Sequence, residues 1–135
     1  MNKKTLIIIL AVVVVVAVAA VLLVPKFLGE KEEKKVEVFY PLEDYFVVNV
    51  KDGGGMLFKT TVILVCDSED MTEIIKANEY AVRDKLLFLF RSLSEDDIQD
   101  QDIQNKLREQ IPAMLNELLG VTHFTSVLFG DFVMQ

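Results

Sequence analysis

Nineteen consecutive apolar residues, Leu6 to Val24 (LIIILAVVVVVAVAAVLLV), dominate the hydrophobic pattern of the chain. As a helix rising about 1.5 Å per residue they reach about 28 Å, enough to cross the hydrocarbon core of a bilayer. Valine is a mediocre helix former in water, but in lipid the backbone must satisfy its own hydrogen bonds, so helix is nearly obligatory. Residues 1–24 therefore read as a short cytoplasmic start and a membrane-spanning helix, with Leu6, Leu10, Val14, Val18, Leu22 and Val24 in the span. Residues 25–35 contain the run EKEEKK and read as a charged stalk, either helical or mobile. Residues 36–135 are left for one small domain.

Inside that domain the period changes. Tyr45–Val50 (YFVVNV) and Met56–Cys66 (MLFKTTVILVC) are rich in Val, Thr, Phe and Ile. With KDGGG between them they predict an antiparallel pair of strands joined by a glycine turn. Phe58, Thr60, Val62 and Leu64 share one face of the second strand; Lys59, Thr61 and Ile63 share the other, so neither face is fully wet. Asp67, Ser68, Glu69 and Asp70 supply caps and first-turn acids for a helix expected over Met71–Leu93. Its end thickens into LLFLF, Leu86, Leu87, Phe88, Leu89 and Phe90. Five successive helical positions sweep more than a full turn, so a second surface must cover part of them. Ser94 caps a turn, and a second helix starts at Asp100 or Gln101, kinks at Pro112 and ends at Gly120. Val121–Gln135 is the last strand, with a bulge at Gly130-Asp131. It is expected to be paired between other strands or across a subunit boundary, where a polar tail would obstruct the partner. The order ββααβ is an α+β fold, two helices over a small sheet.

Charge gives the chain an orientation. Lys3 and Lys4 precede the apolar run with no acid beside them, which predicts a cytoplasmic N-terminus. Ala17-Val18-Ala19 offers a small-x-small cleavage site, but the run continues past it, which favours a retained anchor over a signal peptide. From residue 25 onward twelve Lys and Arg face all 21 acids, a net charge of −9. So acidic a surface argues against nucleic acid and against anionic lipid. Cys66 is the only cysteine, so the domain relies on its core or on assembly, and assembly is the expectation.

Little in the chain carries chemistry. Gly53, Gly54 and Gly55 lack the Lys and helix start of a phosphate loop. His123 has no second imidazole near it and, among apolar strand neighbours, reads as structural. Cys66 beside Asp67 reads as a small buried hydrophobe with a raised thiol pKa. Asp96, Asp97, Asp100 and Asp102 are hard oxygen donors, yet they lack the central Gly and closing Glu of a calcium loop and read as helix caps. Glu43 and Asp44 are adjacent and would point to opposite faces of a strand. No enzymatic activity, cofactor or metal is expected.

Three segments carry a family likeness: FYPLEDYFVVNV (39–50), NEYAVRDKLLFLFRSLSEDDI (78–98) and VLFGDFVMQ (127–135). With the single N-terminal anchor, they resemble the FliL family of flagellar basal body-associated proteins. The most specific parts are the Tyr40-Pro41-Leu42 segment with the strand after it, the Arg83-Asp84 pair, and the terminal F-x-x-F-V-x-Q. Pro112 and Gly130 depart from the family pattern. The resemblance implies a bacterial inner-membrane protein with a periplasmic domain similar to the stomatin (SPFH) type. It also implies a homo-oligomeric ring around the ion-driven stator units, supporting torque and swarming, without catalysis. On that basis Leu86, Leu87, Phe88, Leu89, Phe90, Leu128, Phe129, Phe132 and Met134 are expected at the oligomer interface. Pro25, Lys26, Phe27 and Leu28 are expected at the stator. The alternatives are a general stomatin-like scaffold for another complex and a secreted module released by signal cleavage.

Overall fold

The computed structural model describes residues 2–27 and 34–135, with the backbone alone at Pro25, Lys26 and Phe27. Leu28 and the stalk as far as Glu33 lie outside the described residues. The chain divides into two units, residues 1–35 and 36–135. In the first, helix α1 (Lys3–Phe27) carries the whole apolar run, and its segment Lys3–Val24 is long and apolar enough to cross a membrane. Leu6, Leu10, Val14, Val18, Leu22 and Val24 are exposed, and so is every other large apolar residue of the run. A helix apolar all round suits lipid rather than water.

The second unit is a four-stranded antiparallel sheet with helices against one face. Its strands are β1 (Val38–Pro41), β2 (Phe46–Asn49), β3 (Leu57–Cys66) and β4 (Phe124–Met134). Central β3 pairs with β4 along one edge and with β1 and β2, end to end, along the other. The β2–β3 connection is the expected glycine turn, with positive φ at Asp52, Gly54 and Gly55. The helix-side face of β3 is Phe58, Thr60, Val62 and Leu64, each at most 1% exposed. Met71, Ile75, Val82, Leu86, Phe90 and Leu107 cover it from the helices. Aromatic edges run through this core without a gap, Phe46–Phe90 (5.2 Å), Phe90–Phe58 (5.8 Å), Phe58–Phe132 (4.7 Å) and Phe132–Phe129 (5.4 Å). Each T-shaped pair adds about 0.5–1.5 kcal/mol beyond its burial.

Four elements differ from the sequence expectation, and the order ββααβ becomes βββααααβ. A strand at Val38–Pro41 precedes the expected two; ending in a proline that cannot donate, it is confined to an edge. The single helix Met71–Leu93 is two, α2 (Met71–Ala77) and α3 (Glu79–Arg91), broken at Asn78 (φ −120°, ψ 17°). The Asn78 carboxamide donates to the carbonyl of Ile74 at 2.8 Å, a local bond that competes with helix continuation. The turn after Ser94 is a short helix, α4 (Glu95–Gln99), closed by a capping box. Helix α5 (Ile103–Leu119) starts later than expected and runs unbroken through buried Pro112 to Gly120, whose φ of 64° gives the left-handed end. Of the two arrangements expected for β4, pairing between two strands is absent among the described residues, where it pairs with β3 alone.

Candidate interaction surfaces

Two of the three segments that carry the family likeness, 39–50 and 78–98, meet in space, and the third pairs with β3. Arg83 on α3 lies over the Phe46 ring at 4.4 Å and donates from Nη1 to the Asp44 carbonyl at 3.0 Å. Its Nη2 reaches the Tyr45 carbonyl at 3.5 Å. The guanidinium thus closes the β1–β2 turn, a task its planar fork suits and a lysine could not match. Four residues earlier on α3, Glu79 accepts from the Tyr40 hydroxyl at 3.1 Å. Burial first, then the Glu79 carboxylate, raises the Tyr40 phenol above its ordinary pKa. Lys59 stacks on the Tyr45 ring at 4.7 Å.

The bulge expected at Gly130-Asp131 is present. Thr60 pairs with Phe132 and Val62 with Phe129, so Thr61 alone faces Gly130 and Asp131. Both backbone groups of Asp131 are satisfied by threonines. The Thr60 hydroxyl donates to its carbonyl at 2.7 Å, and its N–H donates to Thr61 Oγ1 at 2.8 Å. Glycine is required at 130 for room, since an added Cβ would lie 2.4 Å from Thr61 Oγ1. At the other end of β4 the Asn116 carboxamide grips Phe124, accepting from its N–H and donating to its carbonyl, both at 3.0 Å.

Two exposed apolar surfaces remain, on opposite layers of the domain. On α3, Phe88 is 74% exposed and Tyr80 92% exposed. Phe88 lies between two grooves. One, of about 440 Å³, is lined by Asp84, Lys85, Leu89, Ser92 and Met114; the other, of about 360 Å³, by Val47, Asn49, Leu87 and Arg91 among others. The sheet face away from the helices shows Phe39, Leu57, Leu128 and Val133, all exposed. Unpaired apolar area of this kind marks contact surfaces.

The residues expected at an interface fall into three groups. Leu86 and Phe90 point inward and are fully buried, so they belong to the core rather than to any contact. Phe88 is exposed, and Leu87 and Leu89 flank it half-buried. Leu128 lies on the outer sheet face, whereas Phe129, Phe132 and Met134 are half-buried at the margin of the core. Of the residues expected at the stator, Pro25, Lys26 and Phe27 end α1, and Leu28 lies outside the described residues.

The polar candidates have structural partners. His123 sits in the turn before β4 rather than among apolar strand neighbours, exposed, with Nδ1 2.7 Å from Asp67 Oδ1. Cys66 is fully buried; desolvation, with Asp67 adding to it, pushes its thiol up to about 11. Asp97 closes the Ser94 cap, and Asp100 pairs with Lys106 at 2.5 Å. Among the described residues no three His, Cys, Asp or Glu side chains are grouped to hold a metal ion. What the arrangement offers is exposed apolar surface of the kind that serves for binding. No curated protein matches the chain. Residues 39–135 match the family model described as flagellar basal body-associated protein FliL.

Proposed function

This chain belongs to the FliL family of flagellar basal body-associated proteins, and from that premise we propose that it assembles as a homo-oligomeric ring around motor stator units. In this reading α1 anchors it in the bacterial inner membrane with the N-terminus cytoplasmic, as Lys3 and Lys4 favour. The domain 36–135 stands in the periplasm, is similar to the stomatin type, and supports stator activity, torque and swarming without catalysis. Residues 25–35, with Pro25, Lys26, Phe27 and Leu28, meet the stator first.

The family match carries the basal-body role. Support for the ring is the pair of unlike apolar surfaces, Phe88 with its grooves on the helix layer and the Phe39–Leu128–Val133 face on the sheet layer. A ring needs one patch to meet a different one on the next copy, and surfaces on opposite layers can propagate in that way. The test is purification of the full chain from its native membrane in mild detergent, with mass analysis of what accompanies it. A large homo-oligomer carrying stator subunits is expected. An oligomer without them would replace the motor role by a general scaffold, and a monomer would end the ring.

A further inference from the structure

We propose that the outer edge of β4 is a docking site for an extended peptide segment of a partner protein, added to the sheet as a fifth strand. The segment is apolar at alternate positions and basic near its middle. This goes beyond the ring reading and does not depend on it.

The backbone register opens the edge. Leu57 and Gln135 exchange both of their hydrogen bonds, at 2.7 and 2.8 Å. Bonded and unbonded pairs alternate along an antiparallel ladder. Met134, opposite Phe58, and Phe132, opposite Thr60, therefore turn their N–H and C=O away from β3. Beyond the bulge, Val62 gives its carbonyl to the N–H of Leu42 on the opposite edge at 3.0 Å, so its partner Phe129 also faces outward. Val127, two residues earlier, does likewise. Only the start of the edge is closed, where Asn116 occupies both backbone groups of Phe124. From Val127 to Met134 no strand among the described residues pairs with that side.

The side chains agree with the backbone. Phe129, Phe132 and Met134 lie on the helix-side face yet are only half-buried, so the core is unfinished along this same edge. A strand laid beside β4 would bring its alternate side chains against them. Sheet edges are normally guarded by shortness, proline or lysine. The β1/β2 edge has such guards, being two four-residue strands of which the first ends in Pro41. β4 runs for eleven residues without Lys, Arg or Pro, and FTSVLF (124–129) is uncharged with high β-propensity.

Charge selects the occupant. Asp131, exposed in the bulge, is the single charge on β4, and the chain beyond residue 24 carries −9. A second β4 laid antiparallel, with Phe129 opposite Phe132, would set two Asp131 carboxylates together. A strand with a basic residue there meets an opposite charge instead.

The experiment uses the full chain in detergent and synthetic ten-residue peptides alternating Val and Thr, with Lys or Glu at the centre. Binding is read by fluorescence anisotropy, and amide exchange is followed at Val127, Phe129, Phe132 and Met134. The Lys peptide is expected to bind about threefold tighter than the Glu peptide and to slow exchange at those four amides. Asp131→Lys, which leaves the threonine grip on the backbone of residue 131 intact, is expected to reverse that order. Backbone N-methylation of alternate peptide residues is expected to abolish binding. Absence of binding at millimolar peptide, or equal binding by the N-methylated peptide, would overturn the proposal. So would the four amides being protected without peptide in a chain that sediments as a dimer, since a second copy would then be the occupant.

Discussion

The two edges of β3 are held by opposite means. On one side, β1 and β2 are short, interrupted at residues 42–45, and fastened from outside the sheet by Arg83 and Glu79 of α3. On the other, β4 is long and is fastened from within, by Thr60 and Thr61 of β3 itself. The helix-held edge is short and guarded, while the sheet-held edge is long and open from Val127 to Met134. A domain that must bind a partner along one side gains from this division, because the pins of the open edge do not occupy it.

The largest expected effect falls where the two edges are joined. Phe90 touches Phe46 of the first edge and Phe58 of the centre, and it is fully buried. Phe90→Ala should cost about 3–5 kcal/mol through lost burial and the cavity left behind. Phe88→Ala, two residues away and exposed, should stay within about 0.5 kcal/mol. Chemical denaturation of both variants checks this. Similar costs would mean that the aromatic run is not the joint between the edges.

That contrast also marks how far the sequence could be read. Periodicity and length disclosed the long apolar helix, the glycine turn, the two-sided β3, the Gly120 helix end and the Gly130-Asp131 bulge, because each is a local signal. Which members of LLFLF face inward depends on where α3 restarts after Asn78, and an uninterrupted helix hides that phase. β1 was missed because Pro41 and its short length resemble a loop; only pairing with Ile63–Cys66 makes it a strand. Arg83 was singled out by family likeness alone. Nothing local to residue 83 announces that its acceptors are carbonyls 38 and 39 positions earlier. His123 was misplaced for a similar reason, since its partner Asp67 is 56 residues away.

The sheet-held edge breaks at one atom. Gly130→Ala places a methyl group 2.4 Å from Thr61 Oγ1, and an overpacked site of this kind costs about 1–3 kcal/mol. In a Thr61→Ala background the added methyl should cost less, because the clashing oxygen has gone. A double-mutant cycle measures this coupling. Additive costs would show that the glycine is there for another reason. Amide exchange should quicken along Phe129–Met134 and stay unchanged in the β1–β2 turn.

The converse variant acts on the helix-held edge. Arg83→Lys keeps the charge but loses the fork and the stacking on Phe46, at a cost of about 1 kcal/mol. Exchange should quicken at residues 42–46 while β4 is unaffected. Equal loosening of both edges would contradict their independence.

The smallest effect is one of pH, at the cap behind α3. The backbone N–H of Ser94, and then its hydroxyl, hold the Asp97 carboxyl below its ordinary pKa of 3.8. Because the folded value is depressed, the stabilisation is present above pH 3.8 and is lost as pH falls through the lower folded value. Asp97→Asn cannot make the same charged cap, and capping residues contribute about 1 kcal/mol. Thermal midpoints of the two proteins should therefore differ near neutral pH and converge as the solution is acidified below pH 3.8. Lys51 and Lys106 also lower this carboxyl by charge, so added salt should narrow the gap only slightly if the Ser94 bonds dominate. Parallel curves down to pH 2 would remove Asp97 from the cap. The β1–β2 turn and the open edge of β4 should be indifferent to this change, since the bonds of the cap run only between Ser94 and Asp97.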